Sequence, residues 1–210
     1  MPDPNVIPRR DAFIQAAAAE FDKAGYAAAS LSTIAARVGK TKGAMRYHFA
    51  SKAALARAVI ETQYAQWEDV LAAVRAGGYN GIDALIVLAF VVAARFRDDV
   101  LVRAALSLLG DPGLQGVELP TPFVGWIDMT TRLLAEAGSL GELDSVLDAE
   151  AAAEVLVEVF AGAQDAARRL TNMQDLELRV WRYWLLCLPG LGIHDGAERV
   201  PRLAEDAARY

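Results

Sequence analysis

Cysteine is nearly absent from this sequence. Cys187 is the only one in 210 residues, so no internal disulfide can form. Histidine is almost as scarce, with His48 and His194 alone, and no Cys/His cluster has the spacing of a zinc site. Long apolar runs are missing too. The longest strongly apolar stretch, 84–94, is 11 residues bounded by Asp83 and Arg95, whereas a bilayer span needs roughly 20. The opening Pro2, Asp3 and Pro4 do not form the basic-then-apolar pattern of a secretory leader. There is no Gly-rich phosphate loop, nucleophile elbow or metal cluster. Acidic pairs such as Asp98 and Asp99 read as solvated helix ends, so an enzyme is not expected. Alternating Val/Ile/Thr runs long enough for a convincing strand are lacking as well. The expectation is a soluble, cytoplasmic protein with no membrane segment, metal or cofactor.

What is present is apolar and helix-forming. Apolar residues make up 54% of the chain and charged residues 23%, enough for a sizeable core and too balanced for disorder. The length fits one compact domain or a small reader fused to a larger body. A net charge of −6 by itself argues against nucleic acid, but its distribution reverses the argument. Residues 1–52 hold eight Lys/Arg against four acids, a balance of +4, and the remainder holds 13 against 23, a balance of −10. A basic head on an acidic body is expected where only the head meets phosphates.

Ala, Leu, Glu and Arg dominate, and apolar residues recur at three and four, so the fold class is all-α. Helices are predicted near 9–24, 31–38, 42–49, 52–75, 81–97, 98–109, 122–137, 148–171 and 174–188. Phe13, Ala17 and Phe21 share one face of the first, and Gly25 ends it. Ser30, Thr41 and Ser51 stand at the N-cap positions of the next three. The stretch 110–121, with three Gly and two Pro, reads as loop. The tail after Pro189 reads as one weak helix near 201–208 or as a frayed end.

The informative stretch is 30–55, SLSTIAARVGKTKGAMRYHFASKAAL. Two short capped helices meet around Gly39, the layout of a helix-turn-helix whose second helix enters the major groove. Leu31, Ile34, Ala35, Val38 and Met45 would pack the helices together. Ser32, Thr33, Thr41, Lys42, Arg46, Tyr47 and His48 would face DNA, and Phe49 belongs to the core.

Gly39, Thr41, Lys42, Gly43, Met45, His48, Phe49, Ser51, Lys52 and Leu55, with Phe21, Gly25 and Tyr26 upstream, resemble the head of the TetR family of repressors. The resemblance implies a three-helix DNA-binding head over residues 1–52 and a helical ligand-binding and dimerisation body over 53–210. It implies backbone contacts by Lys42, Tyr47, His48 and Lys52, the last also opening a helix whose N-terminus favours a phosphate. Ser32, Thr33, Lys42, Gly43 and Arg46 become the base-reading candidates. Two positions depart from the family pattern. Arg46 replaces its usual tyrosine and Lys40 its usual apolar residue, both adding charge near the duplex.

The body resembles the γ-butyrolactone receptor branch of that family, including relatives that sense butenolides or furan carboxylic acids. The segments 60–67, 119–126 and 159–180 carry the likeness. It implies that Trp126 lines an effector pocket and that Gln63 hydrogen-bonds the effector, with Trp67, Leu88, Phe160 and Gln164 lining the same cavity. Where the branch often places a threonine beside the glycine, this chain has Ala161. A lactone or furan with an alkyl tail suits a mostly apolar cavity.

A single helix-turn-helix reads few base pairs, so a homodimer on a palindromic operator is expected. Val155, Val159, Ala163 and Ala167 form one stripe and Trp181, Trp184, Leu185 and Leu188 another. Both suit a four-helix interface with a partner, the alternative being that both face only the monomer's own core. The functional expectation is a repressor released from operator DNA by a small hydrophobic signalling molecule, controlling secondary metabolism. The alternative is a drug or xenobiotic sensor controlling an efflux or detoxification gene.

Overall fold

The computed structural model describes residues 9–121 and 123–210, and among them every regular element is a helix. The first, α1 (Arg9–Ala28), breaks regular geometry at Gly25, where φ is 75° and ψ 167°. A side chain would be strained there, which is why the helix turns at this glycine. Next come α2 (Leu31–Arg37) and α3 (Lys42–His48). The Ser30 hydroxyl accepts from the N–H groups of Ser32 and Thr33 at 3.2 and 3.4 Å, and Thr41 accepts from Ala44 at 3.2 Å. Each cap thus satisfies donors that a helix start leaves open. Gly39, at φ 64°, makes the turn between them. The long α4 (Lys52–Ala76) opens with the Ser51 hydroxyl accepting from Ala54 at 3.0 Å.

The chain forms two compact units. The first comprises the residues up to Gln66 together with Asp99–Pro120, and the second comprises Trp67–Asp98 with Thr121–Tyr210. In the first unit, Phe13, Ala17 and Phe21 of α1 pack with Ile34, Met45, Phe49, Leu55 and Val59. Leu101, Ala104, Ala105 and Leu108 of α6 (Val100–Leu109) join the same core. A bidentate pair from Arg103 to Asp22, 2.8 Å at its shorter arm, ties α6 to α1. Compactness therefore draws its line differently from a division at residue 52: α6 and the start of α4 count with the head.

The second unit is built round α5 (Gly81–Asp98), twelve of whose 18 residues are buried. A helix apolar on all sides belongs at the centre of a bundle, and α7, α9 and α10 pack on it. Around it lie α7 (Val124–Ser139), α8 (Ala149–Thr171), α9 (Leu176–Cys187) and α10 (Gly196–Ala207). The expected first residue of α7, Pro122, lies outside the described residues. Asp148 caps α8 by accepting from Ala151 at 2.9 Å.

The tail is neither weak nor frayed. It forms three full turns as α10, burying Val200, Leu203 and Ala207, while Arg199 reaches Asp83 of α5 at 2.9 Å. Those apolar positions stand at i, i+3 and i+7, a pattern diluted by the charges between them. No helix among the described residues is long and apolar enough to cross a membrane.

Candidate functional site

On α3, Met45 points inward and is fully buried. The helical period then turns Gly43, Arg46 and Tyr47 away from it, with Lys42 flanking them at the helix start, and all four are exposed, Tyr47 to 89%. Ser32 and Thr33 of α2, and the cap Thr41, are exposed as well. Not every cation of the head is available to this face. Arg37 forms two hydrogen bonds to the carboxylate of the buried Glu20, at 2.9 and 3.1 Å. Arg10 lies over the Phe49 ring at 5.4 Å. Among the described residues, Lys40, Lys42 and Arg46 are exposed and carry no ion pair. Two of these are the positions that depart from the family pattern.

Gly43 lies on the same arc. A Cβ built there would meet only the Thr41 hydroxyl, at an ordinary 3.7 Å. A glycine inside a helix costs about 1 kcal/mol relative to alanine, and nothing within the protein requires this one.

Two candidates are turned inward. His48 is half-buried, its ring 5.8 Å from Phe13 and edge-on to Tyr47 at 5.3 Å. Lys52 is more thoroughly engaged. Its ammonium donates to the carbonyls of Tyr26, Ala27 and Ala29 at 2.7, 3.1 and 3.1 Å and sits 4.5 Å from the Tyr26 ring centroid. An ammonium has three donors, so the expectation that Lys52 offers its charge to a phosphate meets a side chain already saturated. It instead neutralises the carbonyl-rich end of α1, where a cation is favoured. Burial, and then the Asp111 carboxylate, push the Tyr26 phenol above its ordinary range.

The effector candidates divide between the units. Gln63 is buried and belongs to the first. The others belong to the second, where the structure joins three of them into an aromatic chain. The Trp67 and Trp126 rings lie 5.2 Å apart, Trp67 meets Phe96 at 6.3 Å, and Phe96 meets Phe160 at 6.1 Å. The Arg95 guanidinium lies 5.8 Å from the Trp67 ring centroid. Trp67 is 2% exposed, and its indole nitrogen is buried with no hydrogen-bond partner. Trp126 and Phe160 are only half-buried, as is Gln164 one turn further along α8. Leu88 is buried in α5, two turns before Phe96. Phe96 is the member that sequence reasoning missed, although Leu88, Val92 and Phe96 recur at i+4. A separate groove of about 560 Å³ lies among α5, α9 and α10, bordered by Phe90, Leu178 and Trp181, and holds none of Gln63, Trp67, Leu88, Trp126, Phe160 and Gln164.

The stripes expected to meet a partner are split. Val155 and Val159 are 45% and 40% exposed, but Ala167 is fully buried, as are Trp184 and Leu188. A strict i+4 row drifts by about 40° per step at 3.6 residues per turn, so the row runs off the outer face into the core. The outer face of α8 continues instead through Gly162 and Ala166 to Leu170, which is 73% exposed. On α9 the uncovered apolar residues are Leu178 and Leu186, at 46% and 80%.

Comparisons with known proteins agree with this anatomy. Residues 13–59 match the model of bacterial regulatory proteins of the tetR family, and residues 79–192 match that of the tetracyclin repressor-like C-terminal domain. The A-factor receptor protein of Streptomyces griseus is 32% identical over 190 residues, 87% of this chain. This chain spans 63% of that relative's length. A solved structure described as bearing on the control of antibiotic production by bacterial hormones is 34% identical with a TM-score of 0.83, covering 87% of this chain and 96% of its own. CprB from Streptomyces coelicolor, solved with its biological operator sequence, is 31% identical with a TM-score of 0.74, covering 93% and 95%. A γ-butyrolactone receptor is 29% identical with a TM-score of 0.72, covering 95% and 96%. With both halves matched, one by a model spanning more than half its length, this chain belongs to the tetR family of bacterial regulatory proteins.

Proposed function

We propose that this protein is a cytoplasmic repressor that binds a palindromic operator as a homodimer and is released by a small hydrophobic effector. The observation that carries the reading is the exposed arc of α3. Lys42, Arg46 and Tyr47 project from it beside a glycine that the protein interior does not need. Arg46 has the fork to hold guanine or a phosphate through two hydrogen bonds. Lys42, Tyr47 and the Thr41 hydroxyl fix the helix on the backbone, while Ser32 and Thr33 approach from α2. Reading DNA is the task of residues 1–52, and binding the effector and the partner that of 53–210. The outer faces of α8 and α9, with Val155, Val159, Leu170 and Leu186, are the partner surface, because exposed apolar residues at helical spacing favour a second copy.

The effector belongs to the γ-butyrolactone, butenolide or furan class, a reading supported by the receptors this chain resembles. It is held among Trp67, Trp126, Phe160 and Gln164, with Phe96 completing the apolar wall. The signal travels along α4. Trp67 lies 15 residues after Lys52 in α4. An effector that prefers the DNA-incompetent state 100-fold supplies about 2.7 kcal/mol of coupling. The two recognition helices then no longer match a half-site spacing of about 34 Å.

The test is selection of binding fragments from a random DNA pool at fixed salt, followed by addition of lactones, butenolides and furans. The expected result is a palindromic site and release by members of one class. Absence of any DNA affinity at low salt overturns the reading.

A further inference from the structure

Resting on the effector reading above, the geometry points to one atom that recognises the effector. We propose that the Trp67 indole N–H donates its hydrogen bond to a carbonyl oxygen of the effector, taken up as the Trp126 ring moves aside. An indole N–H is a donor only, and a buried one ordinarily has a partner. In this structure the Trp67 nitrogen is buried and has none. Its ring and guanidinium neighbours supply no strong acceptor. Trp126 and Phe96 offer ring faces, able to receive only weak N–H···π contacts. The Arg95 guanidinium over the ring is itself purely a donor.

The same cluster has a way in. Trp126, 5.2 Å from Trp67 and tilted by 50°, is half-buried rather than buried. A ligand that displaces its ring reaches the Trp67 edge without opening the core of the unit. Phe96 and Phe160 continue the apolar surface beyond Trp67, where a hydrocarbon tail finds its place. The arrangement therefore selects a neutral carbonyl carried on an apolar body.

Trp184 provides an internal control. Its indole nitrogen is also buried without a partner, but it lies in the α9 core, 1% exposed, with the buried Tyr183 ring 4.6 Å away and, among the described residues, no half-exposed ring against it. An unpaired indole that merely reflects tight packing behaves like Trp184, and one that awaits a ligand does not.

The experiment uses the full-length protein, ¹⁵N-labelled, with its four tryptophan indole signals assigned by single phenylalanine substitutions at Trp67, Trp126, Trp181 and Trp184, any one signal following from the other three. The probes are γ-decalactone and 2-hexyltetrahydrofuran, which share ring and tail and differ in the carbonyl. The lactone is expected to move the Trp67 and Trp126 indole protons and leave that of Trp184 in place. Trp67→Phe weakens lactone binding at least tenfold, Trp184→Phe less than twofold. The ether binds the unaltered protein at least tenfold more weakly than the lactone does, and this preference falls below twofold in Trp67→Phe. A response at Trp126 without one at Trp67, or a preference that survives in Trp67→Phe, overturns the proposal while leaving the effector site standing. Silence of both tryptophans up to millimolar lactone overturns the effector reading of the cluster and this proposal with it. The spectra of the unaltered protein decide the matter even where a substitution fails to fold.

Discussion

The two units use their aromatic side chains in opposite ways. In the first, Phe13, Phe21 and Phe49 fill a closed core, while Tyr47 stands 89% exposed on a surface of cations and small hydroxyls. In the second, two tryptophans and two phenylalanines meet in one cluster, the buried indole nitrogens of Trp67 and Trp184 lack a partner, and α8 and α9 leave Val155, Val159, Leu170, Leu178 and Leu186 exposed. A surface that reads a polyanion needs convexity and charge, which short local elements supply. A site that takes up an apolar molecule needs enclosure, which only distant elements brought together supply. That difference decides how each region responds to substitution.

The largest effect is expected where charge meets the ligand directly. Lys42→Ala with Arg46→Ala should weaken operator binding 100-fold or more, since one well-placed bidentate contact is worth about 1–3 kcal/mol. Both side chains are exposed, so thermal stability and effector binding should not change. Anisotropy titrations beside melting curves check both. An equally large loss of stability would mean that the α3 arc is structural and the contrast between the units false.

Next in size is the partner surface. Leu170→Glu together with Leu186→Glu places charge where 73% and 80% exposed leucines now stand. The prediction is a monomer by sedimentation with unaltered helicity, and operator affinity at least tenfold weaker, because a single head loses the second half-site. A dimer that survives both charges would show that α8 and α9 are covered by something other than a second copy.

These contrasts also explain what was legible beforehand. The caps Ser30 and Thr41, the turn at Gly39 and the inward Met45 all act within a few residues, so the helix-turn-helix could be read from their spacing. Lys52 could not. Its partners are carbonyls 23 to 26 positions away, and no pattern near it announces them. For the same reason the neighbour of α6 was not legible: its sequence gives a helix, and only the packing of Leu101 and Leu108 gives what it lies against. Trp67 and Trp126 were named from resemblance, and Phe96, which joins them to Phe160, was not. The α8 partner stripe drifted off its face, because an i+4 row turns by about 40° at each of its three steps.

Lys52 gives a sharper, smaller test of the head. If it is an internal clamp, Lys52→Met should destabilise the protein by about 1–2 kcal/mol, the scale of losing hydrogen bonds from a charged donor. Operator affinity should fall several-fold, but the dependence of log K on log salt should keep its slope. A phosphate-binding role predicts the reverse: little change in stability and a slope smaller by about 0.9 for each phosphate no longer neutralised. The slope separates two roles that affinity alone would confuse.

The smallest expected effect lies at Gly43, where fold and function pull in different directions. Alanine fits, since its Cβ meets only the Thr41 hydroxyl at 3.7 Å. It is also the better helix former, by about 1 kcal/mol. Gly43→Ala should therefore raise the melting temperature slightly. Operator binding should nonetheless weaken a few-fold, because the added methyl stands on the arc that approaches the duplex, between Lys42 and Tyr47. A residue that lowers stability yet improves binding serves the ligand rather than the fold. If Gly43→Ala instead binds as well as the unaltered protein, the closest approach to DNA belongs elsewhere on the face, and Ser32 and Thr33 of α2 become the residues to change next.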